Sequence, residues 1–411
     1  MRSGQFLASL LCGSVGVALA CCLVGCGASS THGSSDSGTP KDDTGSPADT
    51  GTKPDTGTKA DSGTKSDAGA KPDSGTADSG GGGDTGTPSD AGAGFDASPP
   101  PTGDAGIGAA TDADTTACAL VGSATCALLA KCNVVGLNEE YGSSAECVAR
   151  ETINCEIALL APNSGQTGDN ATACATAEGT ETCVQDLDFN PPSACLLPAG
   201  TVANGSPCSH SAQCASAFCS LPLTSLCGVC APPLAAGDPC TALSTCGQTL
   251  TCANDVCTTF VTTVGATCGA GTPCGVGLDC VIPGTMTSGT CQAEATMVGQ
   301  ACDPTFETGA SCDANLGLYC VGATKKCATV AYAETGKPCG EVGGVRTYCI
   351  DGNCIKAAGD AGARTCVEHA ADHAACNTAS GPTCLEPSRC VGTVFDGGVS
   401  GTCELPAQAC P

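Results

Sequence analysis

The sequence predicts small disulfide-rich modules in tandem, built of short β-hairpins and loops, preceded by a small disulfide-stapled helical domain and a long disordered linker. Three observations carry this expectation. The 411 residues hold 38 Cys but no Trp, four Tyr and seven Phe. Leu, Ile, Val and Phe make up about 15% of the chain, below the roughly 20% with which chains usually build a packed core. Cysteines recur after residue 200 at a period of about 30 residues, whereas residues 27–117 contain none. Covalent cross-links must therefore do much of what apolar burial does elsewhere. The net charge of -26 argues against nucleic acid or an anionic surface as partner, since each phosphate contact needs a cation.

Residues 1–25 carry one cation, Arg2, followed by an uncharged run of apolar and small residues from Phe6 to Leu23, the layout of a secretory signal peptide. The run is short and Gly-broken for a membrane span. Ala18-Leu19-Ala20 fits ordinary signal cleavage, while Leu23-Val24-Gly25-Cys26 resembles the lipobox of bacterial lipoproteins. Cysteine parity separates the two. Cleavage after Ala20 leaves 37 cysteines, an odd number; acylation of Cys26 consumes one and discards Cys12, Cys21 and Cys22, leaving 34. The resemblance implies lipidation at Cys26 with three acyl chains, more than the two signals that stable anchoring needs. It also implies an outer-membrane or cell-surface position, because residue 27 is Gly and not the Asp that retains many such lipoproteins in the inner membrane.

Residues 26–117 form the linker. Phe95 and Ile107 are its only members of the Leu, Ile, Val, Phe set, so burial cannot offset its chain entropy. A six-residue repeat places Lys at 53, 59, 65 and 71 and Asp at 49, 55, 61, 67 and 73, a period that fits neither helix nor strand. As a flexible coil it spans roughly 50 to 60 Å, enough to hold a head clear of a lipid surface. The Asp ladder could take calcium through carboxylate oxygens, but it lacks the close spacing of a calcium loop and is interleaved with Lys.

Residues 118–195 form the helical domain, with Cys118, Cys126, Cys132, Cys147, Cys155, Cys174, Cys183 and Cys195 available for four internal disulfides. Ser143-Ser144-Ala145-Glu146 reads as a capping box. Behind it, Val148, Ile157, Ala158 and Leu159 alternate with Arg150, Glu151 and Glu156 as in an amphipathic helix ending near Pro162. Weaker helical runs cover 123–133, 170–177 and 180–187. Thiolates such as Cys147 and Cys155 could alternatively bind metal, but an oxidising compartment favours disulfides.

Six modules follow, opening at Cys208, Cys240, Cys268, Cys302, Cys339 and Cys376. Gly205, Gly237, Gly265, Gly299 and Gly336 each stand three residues before an opening cysteine, where glycine suits a tight turn. The third module continues with Cys274, Cys280 and Cys291; the fourth with Cys312, Cys320 and Cys327; the fifth with Cys349, Cys354 and Cys366; the sixth with Cys384, Cys390, Cys403 and a fifth cysteine, Cys410. Units of about 30 residues fall below the size at which a core alone holds a fold, so two disulfides in each, at about 2–4 kcal/mol apiece, must compensate.

The first two modules share a longer pattern, Cys208-x5-Cys214-x4-Cys219-x7-Cys227-x2-Cys230-x9-Cys240-x5-Cys246-x5-Cys252-x4-Cys257. This run resembles the Dickkopf N-terminal cysteine-rich domain over about 50 residues, giving a Dickkopf-like segment at 205–257 and further cysteine-rich repeats over 258–411. The family has an adjacent cysteine pair where this chain has Cys246-Gly247, so nine cysteines remain and at least one pairs elsewhere or stays free. Cys410 is a candidate partner, and the expectation is no free thiol. The resemblance implies a hairpin-rich disulfide knot that presents loops for protein contact. It does not transfer the family's receptor antagonism, since a shared scaffold is not a shared function.

Candidate chemistry is sparse. His32 lies in the linker. His210 sits between Ser209 and Ser211, without an acidic orienter or oxyanion-hole motif. Glu368-His369-Ala370-Ala371-Asp372-His373 could place two imidazoles on one helix face for a transition metal, though an exposed connector between the fifth and sixth modules is the simpler reading. No G-x-S-x-G elbow or Walker loop occurs. The expected protein is therefore non-enzymatic, with no cofactor and no metal: a surface lipoprotein whose tether carries a binding or scaffolding head for a protein or polysaccharide. A secreted hydrolase or protease inhibitor is the alternative.

Overall fold

The computed structural model describes residues 110–188, 190–241, 245–356, 364–395, 398–407 and 409–410. The segment expected to be a signal peptide, Cys26, His32 and nearly all of the expected linker lie outside these residues. From Cys118 to Cys410 the chain forms one disulfide-rich body, a helical hub followed by small β-modules.

The hub consists of α1 (Asp112–Cys132), α2 (Val134–Tyr141), α3 (Ser144–Leu160), α4 (Gly168–Glu178) and α5 (Cys183–Leu187). Helix α1 starts six residues before Cys118, which corrects the linker boundary at 117. Thr111 and Asp114 form a capping box, with the Thr111 hydroxyl accepting from the Asp114 N–H at 3.2 Å, and Ala117 is already buried. Helix α1 is long and apolar enough to pass for a membrane span, but half of it is buried inside the protein. It is pinned to α3 by Cys118–Cys155 and Cys126–Cys147, and to α5 by Cys132–Cys183; Cys174–Cys195 ties α4 to the segment after it. Gly122 permits the approach of α1 to α3, since a Cβ there would come within 2.7 Å of the Val148 carbonyl. Helix α3 begins at the expected cap, with Ser143 Oγ accepting from Glu146 N–H at 3.1 Å, the first of the two bonds of the expected capping box. It stops at Ala161, which Pro162 holds in an extended conformation. Helix α2 was not foreseen: Asn133 caps it in the middle of a run that reads as irregular.

Each module repeats one frame. With Cys227 and Cys410 set aside, the first and third cysteines of each module pair, and the second and fourth pair: Cys208–Cys219 with Cys214–Cys230, Cys240–Cys252 with Cys246–Cys257, Cys268–Cys280 with Cys274–Cys291, and so on to Cys376–Cys390 with Cys384–Cys403. An apolar opening residue (Val202, Leu234, Val261, Ala295, Ala333 or Ala370) lies parallel to the second cysteine. The chain then turns sharply, and the N–H of the turn residue donates to the carbonyl of the fourth cysteine at 2.7–2.9 Å. In five modules that residue is the anticipated glycine, at φ between +79° and +90°. In the sixth it is His373, at φ +64°, donating to Cys403 at 2.7 Å. A histidine thus carries left-handed strain that glycine avoids.

This repeat makes a paired prediction. A Cβ on Gly299 meets nothing within 4 Å, so Gly299→Ala incurs only the backbone penalty, about 1–2 kcal/mol. His373→Gly relieves the same strain and gains about 1 kcal/mol. Denaturant midpoints moving in opposite directions support the shared turn; midpoints moving together refute it.

Candidate functional site

The residues singled out for chemistry are mostly structural. His210 is buried, its Nδ1 accepts from Ala212 N–H at 3.2 Å, and burial pushes its pKa down to about 3, so the ring is neutral. Ser209 donates to Gln213 Oε1, and Ser211 Oγ accepts from Cys219 N–H. These groups shape the first cysteine loop and do not converge as nucleophile and base. Residues 369–373 are not helical, so the two imidazoles share no helix face. His369 bonds through Nε2 to the Glu139 carbonyl at 3.0 Å and through Nδ1 to Thr383 Oγ1 at 2.8 Å, while His373 Nδ1 lies 3.2 Å from Glu404. In the first five modules three sulfurs come close together, but they belong to two crossed disulfides and offer no thiolate to a metal. Cys147 and Cys155 are likewise bonded, to Cys126 and Cys118.

What the structure assembles instead is a seam between hub and modules. The segment read as an exposed connector is part of it. Arg150, on α3, is buried with a side-chain exposure of 8%, and chelates Asp372 with two hydrogen bonds of 2.8 Å. The same guanidinium donates to the carbonyls of Leu385 and Glu386 and to Ser388 Oγ, and Ser388 in turn donates to Asp372. Burial alone would raise the Asp372 carboxyl, but the Arg150 and Ser388 bonds bring it below its ordinary value. Beneath this cluster Leu385 packs on the hub core of Leu129, Leu137 and Tyr141. Tyr141 donates to Glu151 at 2.8 Å. Arg150 and Glu151, read from the sequence as the polar face of an amphipathic helix, therefore face inward.

The seam is rich in acid. Glu140 Oε2 and Glu386 Oε1 are sealed from solvent without a hydrogen-bond partner. Burial, with Glu386, Glu151 and Glu139 nearby, lifts Glu140 well above its usual range; burial and Glu151 lift Glu386 to about 8 despite Arg150; burial lifts Glu139 to about 8. These carboxyls are therefore largely protonated at mildly acidic pH.

Further contacts run round the hub. Gly165 N–H donates to Ala212 O of the first module at 2.9 Å, Val276 N–H of the third to Asp188 at 2.8 Å, Val134 N–H to Asn315 O of the fourth at 2.9 Å, and Asp351 N–H of the fifth to Asn138 O at 2.8 Å. The sixth module then returns to the first. Arg389 donates to the carbonyls of Pro222 and Ser225 at 2.9 and 3.2 Å, and Cys227 is bonded to Cys410, 183 residues away. The array is thus closed covalently on itself and, among the described residues, touches the hub through at least five of its modules.

Two surface features remain for a ligand. An open depression of about 290 Å³ on the second module is lined by Asn254, Val256, Thr258 and Thr259 and reaches Gly271 of the third. The turn tips just ahead of the repeated glycines carry Val264 in the third module and Met297 and Val298 in the fourth, 62%, 66% and 64% exposed. Sequence reasoning missed these tips, although their position beside each marked glycine was available. Comparison with known protein families, with characterised proteins and with solved structures returns no match for the chain. The disulfides themselves suit an oxidising, extracytoplasmic environment.

Proposed function

We propose that the protein is a surface-anchored lipoprotein, held at Cys26, whose disulfide-rich head binds a protein or polysaccharide through module tips, without catalysis. One observation carries this reading: the module frame is constant while the tip ahead of its turn residue varies. In the sixth module the tip residue is Asp372, and it makes the bidentate contact with Arg150. The same position in the third and fourth modules presents Val264 and Val298 to solvent. A rigid frame supports this use, because loops already fixed by two cystines lose little further entropy on binding. The acidic linker supports the anchor, since its length suffices to lift a head off a lipid surface.

The test uses labelled full-length protein carrying Cys26→Ser, added to cells of its own source. Saturable binding is expected, weakened at least tenfold by combined Val264→Asp, Met297→Asp and Val298→Asp. Absence of saturable binding, or binding indifferent to these changes, refutes the reading. Intact mass of the membrane-purified protein tests the anchor separately, with a chain starting at acylated Cys26 as the expected result.

A further inference from the structure

We propose that Cys227–Cys410 is a thiol-exchange site, at which a small-molecule thiol opens the module ring while the module frames stay intact. It is the disulfide that joins two modules; the others described lie within the hub or within one module. It is also the one among the described disulfides in which neither cysteine is buried. Each other pair has at least one cysteine in a protein interior, such as Cys240 opposite Cys252 or Cys403 opposite Cys384. Attack on a disulfide needs a line of approach to a sulfur, and a cystine with both halves only half-buried is open to it where one with a buried half is less so. The loop around Cys227 offers that approach, since Pro222, Leu223 and Val229 on it are exposed.

Electrostatics favour a particular direction of cleavage. Arg389 is anchored on the carbonyls of Pro222 and Ser225, and Ser225 Oγ accepts from the Cys227 N–H at 3.0 Å. A guanidinium over this loop stabilises negative charge on Cys227, making it the better leaving thiolate. The incoming thiolate attacks Sγ of Cys410. The S–S bond breaks, its electron pair leaves on Cys227, and a mixed disulfide forms on Cys410. A second thiolate attacks the added sulfur, releasing Cys410 as thiolate and the small molecule as its own disulfide. Two thiols are oxidised, one cystine is reduced, and the two protons finish on Cys227 and Cys410. The Arg389 bonds to Pro222 and Ser225 persist after reduction and hold the two thiols near each other for reclosure.

The test is a titration of the native full-length protein with reduced glutathione, quenched with N-ethylmaleimide and mapped by mass spectrometry. Cys227 and Cys410 should acquire label or glutathione at a concentration at least tenfold below that needed for any other cysteine. The double variant Cys227→Ser/Cys410→Ser should keep the wild-type circular dichroism and take up nothing in that range. Arg389→Met should shift the opening to higher glutathione. Opening of another pair first, simultaneous opening of all pairs, resistance of this pair until unfolding, or equal uptake by the double variant would each overturn the proposal.

Discussion

Replacing Arg150 by Met is expected to cost about 3–5 kcal/mol and to release the sixth module from the hub. Loss of one partner of a buried ion pair is this expensive because the other charge stays behind without compensation. Here Asp372 would keep only the Ser388 hydroxyl, Glu386 would lose the cation that offsets its burial, and the carbonyls of Leu385 and Glu386 would lose their donor. Arg150→Lys should rescue little, since an ammonium cannot reproduce the two parallel bonds to a carboxylate. Arg150→Met with Asp372→Asn should be less destabilised than the sum of the two single changes. Denaturant unfolding measures the loss, and hydrogen exchange locates it: faster exchange should centre on residues 369–388, leaving the other module frames protected by their disulfides. A loss below about 1 kcal/mol, or exchange spread evenly over all modules, would show that the seam does not depend on this arginine.

The modules were legible in the sequence because their structure is local. A glycine three residues before five of the six opening cysteines announced the turn, and four cysteines at short intervals announced two cystines in each module, though not that the two cross. Even the exception at His373 sits in register, although nothing in its residue type marks a left-handed turn. The seam was illegible for the opposite reason. Arg150 and Asp372 are 222 residues apart, and each looks solvent-exposed when only its own segment is considered: one on the charged stripe of a helix, the other in a polar connector. The same holds for Cys227 and Cys410. Counting cysteines shows that odd ones must find partners, but only the return of the sixth module to the first selects Cys227 from among nine. Helix α1 was under-read because its N-terminal cap precedes the first cysteine, and a boundary set by cysteines cannot see Thr111.

The half-buried acids Glu139, Glu294 and Glu386 are expected to make the head more stable at pH 5 than at pH 9, against the usual expectation for an acidic protein near neutrality. Glu139 and Glu386 lie in the seam, and Glu294 lies beside Asp279, whose carboxylate also accepts from Ser311 N–H at 2.6 Å where the third module meets the fourth. Each of the three is raised to about 8, first by burial; in the unfolded chain a Glu titrates near 4.3. The folded state therefore holds protons that the unfolded state has released, so stability is full below about pH 4 on this account and falls as pH rises through 8. Asp372 acts in the other sense, being depressed by Arg150 and Ser388, so its contribution disappears only at the acid end. His210, held neutral by burial, also acts against acid, its cost growing as pH falls below about 6.5, while the three glutamates set the fall toward pH 9, a loss on the order of several kcal/mol. Guanidinium midpoints at pH 5, 7 and 9, with iodoacetamide present to prevent disulfide exchange, should decline in that order. Glu386→Gln and Glu294→Gln should each flatten the decline, because a neutral amide fills the site without titrating. A midpoint at pH 9 equal to or above that at pH 5 would mean that these carboxyls ionise in the folded head, and that the seam accommodates their charge.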